Sequence, residues 1–565
     1  MRRRQRPVIP AVLAVASVVA LAACGGSSSS SSSASSGASS SSASSGKSGG
    51  TITQVFGTAP DSLDPGDGYT TQALEPDQVA YVPLVAYQHA TGAAGGTLIP
   101  GLATALPKIS ADGKTYAMTL RSGLKFSNGQ PVKASDFTYA VERSLKIPWG
   151  GSSFITANVE GASAYAAGKA KTISGITAND ATGQITIKLT APYGAFSNVL
   201  AFPAFAPVPA GTPMKNMPAS PPPGVGPYKI VNVVPNVSYS VVKNQYWTPV
   251  PGIPSGNVNQ INAKIASNTT SNALSVLNNS ADVFDFADTV PPSVLPQVTS
   301  QASDRYSKVV FPSTYYFFLN SKTKPFSSQL AREAVVVGLD RNALARLGSG
   351  FFVPGCYLLP PPMIGHATKP CPYGDPATPN LAKAKQLVQQ SGMAGTPITV
   401  WGEERSPRRQ FVDYYTSFLN QIGFKASEKI IADATYFATI GNLKLNAQTG
   451  FADWNQDFPN PIDFYGILAA GDAILPTNNQ NFGQINDPFI NSKTNSLGSL
   501  YKAPSDQLSA YAGQWEALDY YTAQKAYFAV FGYASFPKFT SNRIDYGSAV
   551  LHQVYGWDWL TLKQK

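Results

Sequence analysis

The 565-residue chain has only three cysteines and three histidines, and Asp, Glu, Lys and Arg together make up 13% of it, about half the share usual in globular domains. Each shortage excludes something. His89, His366 and His552 stand far apart in sequence and offer neither metal-ligand spacing nor an evident general base. There is no C-x-x-C, no H-E-x-x-H and no G-x-x-x-x-G-K, so redox-dithiol, zinc-peptidase and P-loop chemistry lack their motifs. Asp457 and Asp463 could form a carboxylate pair of the glycosidase kind, but their spacing alone says little. The chain is read as a non-enzyme without cofactor or metal. Basic blocks are missing too. Four arginines of the formal +10 fall within the first six residues, which leaves +6 for the rest. Beyond them only "RSPRR" (Arg405–Arg409) clusters positive charge, so nucleic acid is not an expected partner. After residue 23 no apolar run approaches the roughly 18 residues that span a bilayer.

What is present begins at the N-terminus. Arg2, Arg3, Arg4 and Arg6 precede the apolar "PVIPAVLAVASVVALAA" (Pro7–Ala23), the layout of a secretory signal peptide. It ends in "LAAC" (Leu21–Cys24), which resembles the lipobox of bacterial lipoprotein precursors. Small residues at 22 and 23 admit a peptidase, and the Cys24 thiol can carry a diacylglycerol, whose two chains anchor far more firmly than one. An uncleaved membrane anchor is the alternative, and both place the bulk of the chain outside the cytoplasmic membrane. A Ser/Gly tract follows to residue 50. Such a composition buries too little apolar surface to fold and behaves as a flexible tether. The other two cysteines, Cys356 and Cys371, bracket the Pro-rich "CYLLPPPMIGHATKPC". In an oxidising compartment a disulfide between them is the expectation; two buried free thiols are the alternative.

From Thr51 on, the chain is too long for one hydrophobic core, so two or more lobes are expected. "KTYAMTLRSGLKFSNGQPV" reads as strand, turn and strand, and Ser135 in "ASDFTYAVERSL" as the cap of a helix. "QLAREAVVVGLDRNAL" and "NLAKAKQLVQQSG" read as helices, the latter ended by Gly392. In "RQFVDYYTSFLNQIGF", Phe411, Tyr414, Tyr415, Phe418, Leu419 and Ile422 fall on one helical face, a core stripe. With the strand "PITVWG" before it and "FKASEKI" after it, this is a strand–helix–strand unit of an α/β lobe.

The order of short motifs is similar to that of one family. "DSLDP" (Asp61–Pro65), "YAMTLRSGLKFSNGQPVKASDFTYAVERSL" (Tyr116–Leu145), "GVGPYKI" (Gly224–Ile230), "NQYW" (Asn244–Trp247), the stretch Tyr316–Leu344, "NLAKAKQLV" and "FADWNQDFPNPIDFYG" (Phe451–Gly466) follow one another as in the peptide-binding class of extracytoplasmic solute-binding proteins of ABC importers, solute-binding family 5. The resemblance implies an α/β, two-lobed, periplasmic-binding-protein-like (type II) fold with an extra subdomain and the ligand enclosed between lobes. It divides the chain into a signal peptide (1–23), the lipidated tether (24–50) and a binding domain (51–565). Lobe I would combine about 51–87, 221–318 and 527–565, the extra subdomain 88–220, and lobe II 319–526. The hinge would run through Tyr316, Phe317, Phe318 and Phe528. The implied partners are a peptide or other small solute, the permease and ATPase subunits of an importer, and the membrane through the lipid; the protein would act as a monomer.

By the same resemblance, the acid of a "W-x-x-D" motif pairs with the α-ammonium of a peptide. Here that acid is Asp457, after Trp454, and Ala452 to Asn455 would pair with the ligand backbone as an added strand. The alternative is an acid held by local backbone amides in a Pro-rich turn. For the ligand's carboxylate, Arg405 in "GEERSPRR" is the candidate, since a guanidinium matches it as a fork. A solvated cluster of Arg405 with Glu403 and Glu404 is the competing reading. Oligosaccharides, nickel chelates or haem are alternative solutes, and a surface sensor without transport an alternative role.

Overall fold

The structure is a computed structural model that describes residues 48–565 except 148, 405, 477–478 and 501–503. Cys24 and Arg405 therefore lie outside the described residues.

Strands and helices alternate around two principal sheets. The first runs in the order Val283–Phe284, Thr51–Phe56, Gln260–Ile265, Ser238–Lys243, Tyr228–Val234. Its centre pairs Thr51–Phe56 in parallel with Gln260–Ile265, and Ile261 and Ala263 alternate inward with the period of a strand. The second sheet orders Phe352–Pro354, Phe528–Phe539, Tyr306–Leu319, Thr449–Asn455, Pro397–Glu403, Lys425–Ile431. A smaller antiparallel sheet holds Lys108–Ile109, Thr115–Thr119, Gln184–Lys188 and Ile176–Asn179. The second predicted strand near Leu124–Phe126 is only a bridge, Lys125 to Pro131.

The strand–helix–strand unit forms as expected: Pro397–Glu403, the helix Arg408–Ile422, then Lys425–Ile431 parallel to the first strand. Gly423 ends the helix at φ 114°, a conformation that favours glycine. Phe411, Tyr415, Phe418, Leu419 and Ile422 are buried, and Tyr415 stacks on Phe317 with centroids 3.8 Å apart. Tyr414 is only half-buried, because its hydroxyl takes the N–H of Asp340; Val412 completes the face instead. "QLAREAVVVGLDRNAL" is two helices, Gln329–Gly338 and Arg341–Leu347, since the Asp340 carboxylate accepts from Ala343 N (2.9 Å) and starts the second. Ser135 is not a cap. Lys133 occupies that place, Asp136 accepts its N–H, and the Ser135 hydroxyl bonds Asp180.

Two long strands, Tyr306–Leu319 and Phe528–Phe539, are paired antiparallel and carry the chain from one sheet to the other. Their outer ends meet the first sheet through Phe284–Phe539 contact and the Val283–Thr540 bridge. Tyr316, Phe317 and Phe318 lie in the regular ladder opposite Val530 to Phe528, while the register slips between Val310 and Thr314 and again between Tyr315 and Tyr316. The tail after residue 539 returns to the first sheet: the Trp559 indole donates to Gln54, and the Trp557 indole to Phe284 O.

Cys356 and Cys371 are joined in a disulfide with Cα atoms 6.1 Å apart. Inside the loop they close, Asp519 accepts the backbone N–H groups of Leu358, Leu359 and Ala367.

Candidate functional site

Three separate stretches build the site. The first is "DSLDPGDGYT". Its Asp61 carboxylate accepts from the backbone N–H of Ser62, Tyr69 and Thr70, an Asx-type turn that fixes Tyr69. Asp64 is held by the Arg143 fork at 2.7 and 2.6 Å and accepts Met217 N, which ties this loop to the neighbouring helix. The second stretch is aromatic. Tyr69 meets Trp149 edge-on with centroids 6.1 Å apart, and Phe202 lies against Tyr69, Trp149 and Phe154. Gly150 permits this packing: a Cβ there would stand 2.7 Å from the Tyr69 ring.

The third stretch is Phe451–Gly466. Phe458 packs on Phe154 at 5.6 Å, and Asp457 projects beside Tyr69, close enough for each to shift the other's titration. Asp457 as a residue is half-buried, yet its Oδ2 is sealed from solvent and meets no hydrogen-bond donor. Asp463 is completely buried. Its Oδ2 accepts the Asp457 N–H (2.9 Å) and the Trp454 indole N–H (3.2 Å), while its Oδ1 has no partner. The turn-capping acid of this Pro-rich segment is thus Asp463, and Asp457 is left facing the aromatic box.

Electrostatics follow from that placement. Burial pushes Asp457 up to about 7, although Tyr69 and Asp463 beside it pull the other way. Burial, reinforced by the charge of Asp457, holds Asp463 well above the usual carboxylate range. Tyr69 is raised by burial and by the Asp457 charge beside it. An unpaired buried carboxylate is unfavourable unless it is neutralised or meets a cation.

Ala452 to Asn455 form the end of the strand Thr449–Asn455. On one side this strand pairs with Tyr306–Leu319 through Ser313 opposite Asn455. On the other side Pro397–Glu403 pairs only with Thr449 and Gly450. Among the described residues, no strand covers that edge from Phe451 onward, and the open edge leads directly to Asp457. Ala452 is buried, Trp454 half-buried and Asn455 exposed.

The structure therefore brings Ala452, Trp454, Asn455 and Asp457 together. Glu403 is not part of a solvated cluster: it is fully buried and accepts from Arg408 at 2.6 Å. The other arm of Arg408 reaches Asp453 at 2.5 Å, and its guanidinium lies 4.8 Å from the Phe451 ring. Burial opposes the charge on Arg408, and Asp453 and Glu403 outweigh it. Sequence reasoning missed Tyr69, which nothing links to Asp457 before folding, and the position of Asp463, noticed only as a possible catalytic carboxylate. Among the described residues no group of three or more His, Cys, Asp or Glu is arranged to hold a metal.

Comparison with known proteins places this geometry. Residues 97–474 match the family described as bacterial extracellular solute-binding proteins, family 5 Middle. The glutathione-binding protein GsiB of Shigella dysenteriae serotype 1 is 28% identical over 433 residues, 70% of this chain and 76% of that protein. The oligopeptide-binding protein OppA of Lactococcus lactis subsp. lactis is 27% identical over 436 residues, 69% of this chain and 70% of that one. Among solved structures, clavulanic acid biosynthesis oligopeptide binding protein 2 superposes with a TM-score of 0.82 at 20% identity, covering 92% of this chain and 96% of its own. DppA from Helicobacter pylori, solved with a peptide, gives 0.69 at 18% identity, covering 92% and 98%. Their shared fold is the two-lobed α/β architecture seen here.

Proposed function

This chain belongs to the bacterial extracellular solute-binding proteins, family 5, and from that premise we propose that it captures peptides outside the cell and delivers them to an ABC importer. The observation that carries the reading is the sealed, donorless Oδ2 of Asp457 at the end of an open strand edge. A peptide laid along Ala452–Asn455 as an added strand would bring its α-ammonium to Asp457. Backbone pairing ignores side chains, which suits mixed peptides, and the aromatic box of Tyr69, Trp149 and Phe202 would exclude water around the ion pair. Relatives named for glutathione, oligopeptide and dipeptide binding support the same ligand class.

For the other end of the ligand, Arg405 is the proposed partner. Arg408 is not available for it, because both arms of its fork are engaged. Cys24 would carry the lipid and the Ser/Gly tract would let the domain reach a membrane permease. Lobe I (51–87, 221–318, 527–565) and lobe II (319–526) would close about the paired crossing strands near Tyr316–Phe318 and Phe528, with 88–220 as the extra subdomain. Closure would trap ligand by shifting the population of open and closed forms.

The test is mass spectrometry of ligand released from the purified protein, followed by binding of trialanine and N-acetyl-trialanine. Peptides with free N-termini in the released material, and binding of the free but not the acetylated probe, are expected. A sugar, a metal chelate or equal binding of both probes would overturn the substrate.

A further inference from the structure

The Asp457 reading leaves a second buried acid in the same site without a role, and the inference below rests on that reading. Asp463 packs directly against Asp457, its Oδ2 accepting the Asp457 backbone N–H at 2.9 Å, and the charge of Asp457 works against that of Asp463. Two charged carboxylates in one dry site repel strongly, and a proton on one of them removes that repulsion. The groups that face the pair are Tyr69, beside Asp457, Tyr193 and Tyr87 at longer range, and the Trp454 indole. All are neutral near pH 7, and no cation faces the pair among the described residues. Asp463 is the deeper of the two, and its Oδ2 already accepts two N–H groups while Oδ1 has none. Asp457 lies nearer solvent.

We propose that the pair carries at most one negative charge: Asp463 keeps its proton throughout, and Asp457 alone loses its proton when an alkylammonium group docks. The step balances without a co-reactant. The ligand arrives as R–NH3+, the Asp457 carboxyl group releases H+ to solvent, and the resulting carboxylate accepts from the ammonium, so the loaded site is neutral overall. Asp463 is a positioning residue. It holds Asp457 through the backbone N–H and, by staying neutral, limits the site to one cation. Capture is thereby linked to pH. Below the Asp457 midpoint, about 7, each binding event releases one proton and affinity falls about tenfold per pH unit; well above it, no proton is released.

The experiment is a difference acid–base titration of the ligand-free full chain from pH 5 to 9. Wild type is compared with Asp457→Asn and Asp463→Asn. The expected result is that Asp457→Asn lacks one group titrating near pH 7, whereas the Asp463→Asn curve superposes on wild type. Loss of that group in Asp463→Asn, or no change in either variant, would overturn the proposal. Wild-type calorimetry with trialanine, in buffers of different ionisation heat, needs no variant. About one proton released at pH 5.5 is expected, and net proton uptake at pH 8.5, where the free peptide's amine (about 8) is mostly neutral and must be protonated to dock; equal release at both would count against the linkage. N-acetyl-trialanine separates the two levels. If it binds as well as the free peptide, the ammonium reading fails; if only the free peptide binds but without proton release at pH 5.5, that reading stands and the acid-pair inference falls. Should trialanine not bind, the ligand-free titration decides alone.

Discussion

Asp519 and Asp457 are two aspartates whose carboxyl groups burial pushes to the same value, about 7, and their hydrogen-bond surroundings are opposite. Asp519 stands beneath the disulfide loop and accepts from Leu358 N, Leu359 N, Ala367 N and the Tyr465 hydroxyl, at 3.0 to 3.2 Å. Every donor comes from its own chain, and the carboxylate orders a Pro-rich loop that would otherwise leave its backbone amides without acceptors. Asp457 has Tyr69 and its acid neighbour, but one oxygen is sealed away without a donor. A raised pKa therefore does not mark a binding residue. What separates the two is an unmet oxygen beside an open strand edge; an unmet oxygen alone is not enough, since Asp77 is fully buried with both of its oxygens unpartnered.

The comparison is most sharply broken at Asp457. Asp457→Ala should weaken binding of free-amine peptides by about 2–5 kcal/mol, the usual loss when one side of a buried charge pair is truncated, while the thermal midpoint stays level or rises. Isothermal calorimetry beside thermal unfolding tests both halves, and a variant that binds as tightly as wild type would end the distinction. Asp519→Ala should do the reverse. Three backbone N–H groups lose their acceptor, so a stability loss of about 3 kcal/mol is expected, with peptide affinity within about twofold of wild type. Loss of affinity without loss of stability would make Asp519 a ligand residue after all.

A smaller effect separates them by pH. Each acid has a folded value above its unfolded one of about 3.9. Each therefore contributes stability that is complete below about pH 4 and is lost as pH rises through about 7. Urea unfolding should show wild type losing up to about 1.4 kcal/mol per pH unit across that window relative to Asp457→Asn. Saturating peptide should restore the loss that Asp457 causes and leave that of Asp519 in place. A wild-type-minus-variant difference independent of pH would contradict the assignment.

Much of this was legible in the chain before folding. The helix Arg408–Ile422 announced itself by an aromatic stripe, because a 3.6-residue period of large apolar side chains has few other uses. "W-x-x-D" pointed to Asp457, and the bracketed Pro-rich loop to the pairing of Cys356 with Cys371. What failed was local competition. Asp340 starts a new helix where the apolar pattern runs on, and Lys133 and Asp136 take the cap that Ser135 suggested. Side-chain hydrogen bonds to the backbone decide such ends, and they depend on which acceptor lies nearer by a single residue.

The sequence by itself determined the α/β class, through periodicity and the order of its motifs, and it raised the expectations of a secreted leader, a tether and Asp457 as the candidate acid, each from composition or a contiguous motif. Only the tertiary structure decided that Tyr69, nearly four hundred positions away, would stand against Asp457, and that Asp463 would turn inward beneath it. Only it left the edge of Ala452–Asn455 open, while Glu403 and Asp453 closed around Arg408. Those facts concern which buried polar atoms find a donor. Pairing across distant segments is settled by packing, and no local run of residues encodes it.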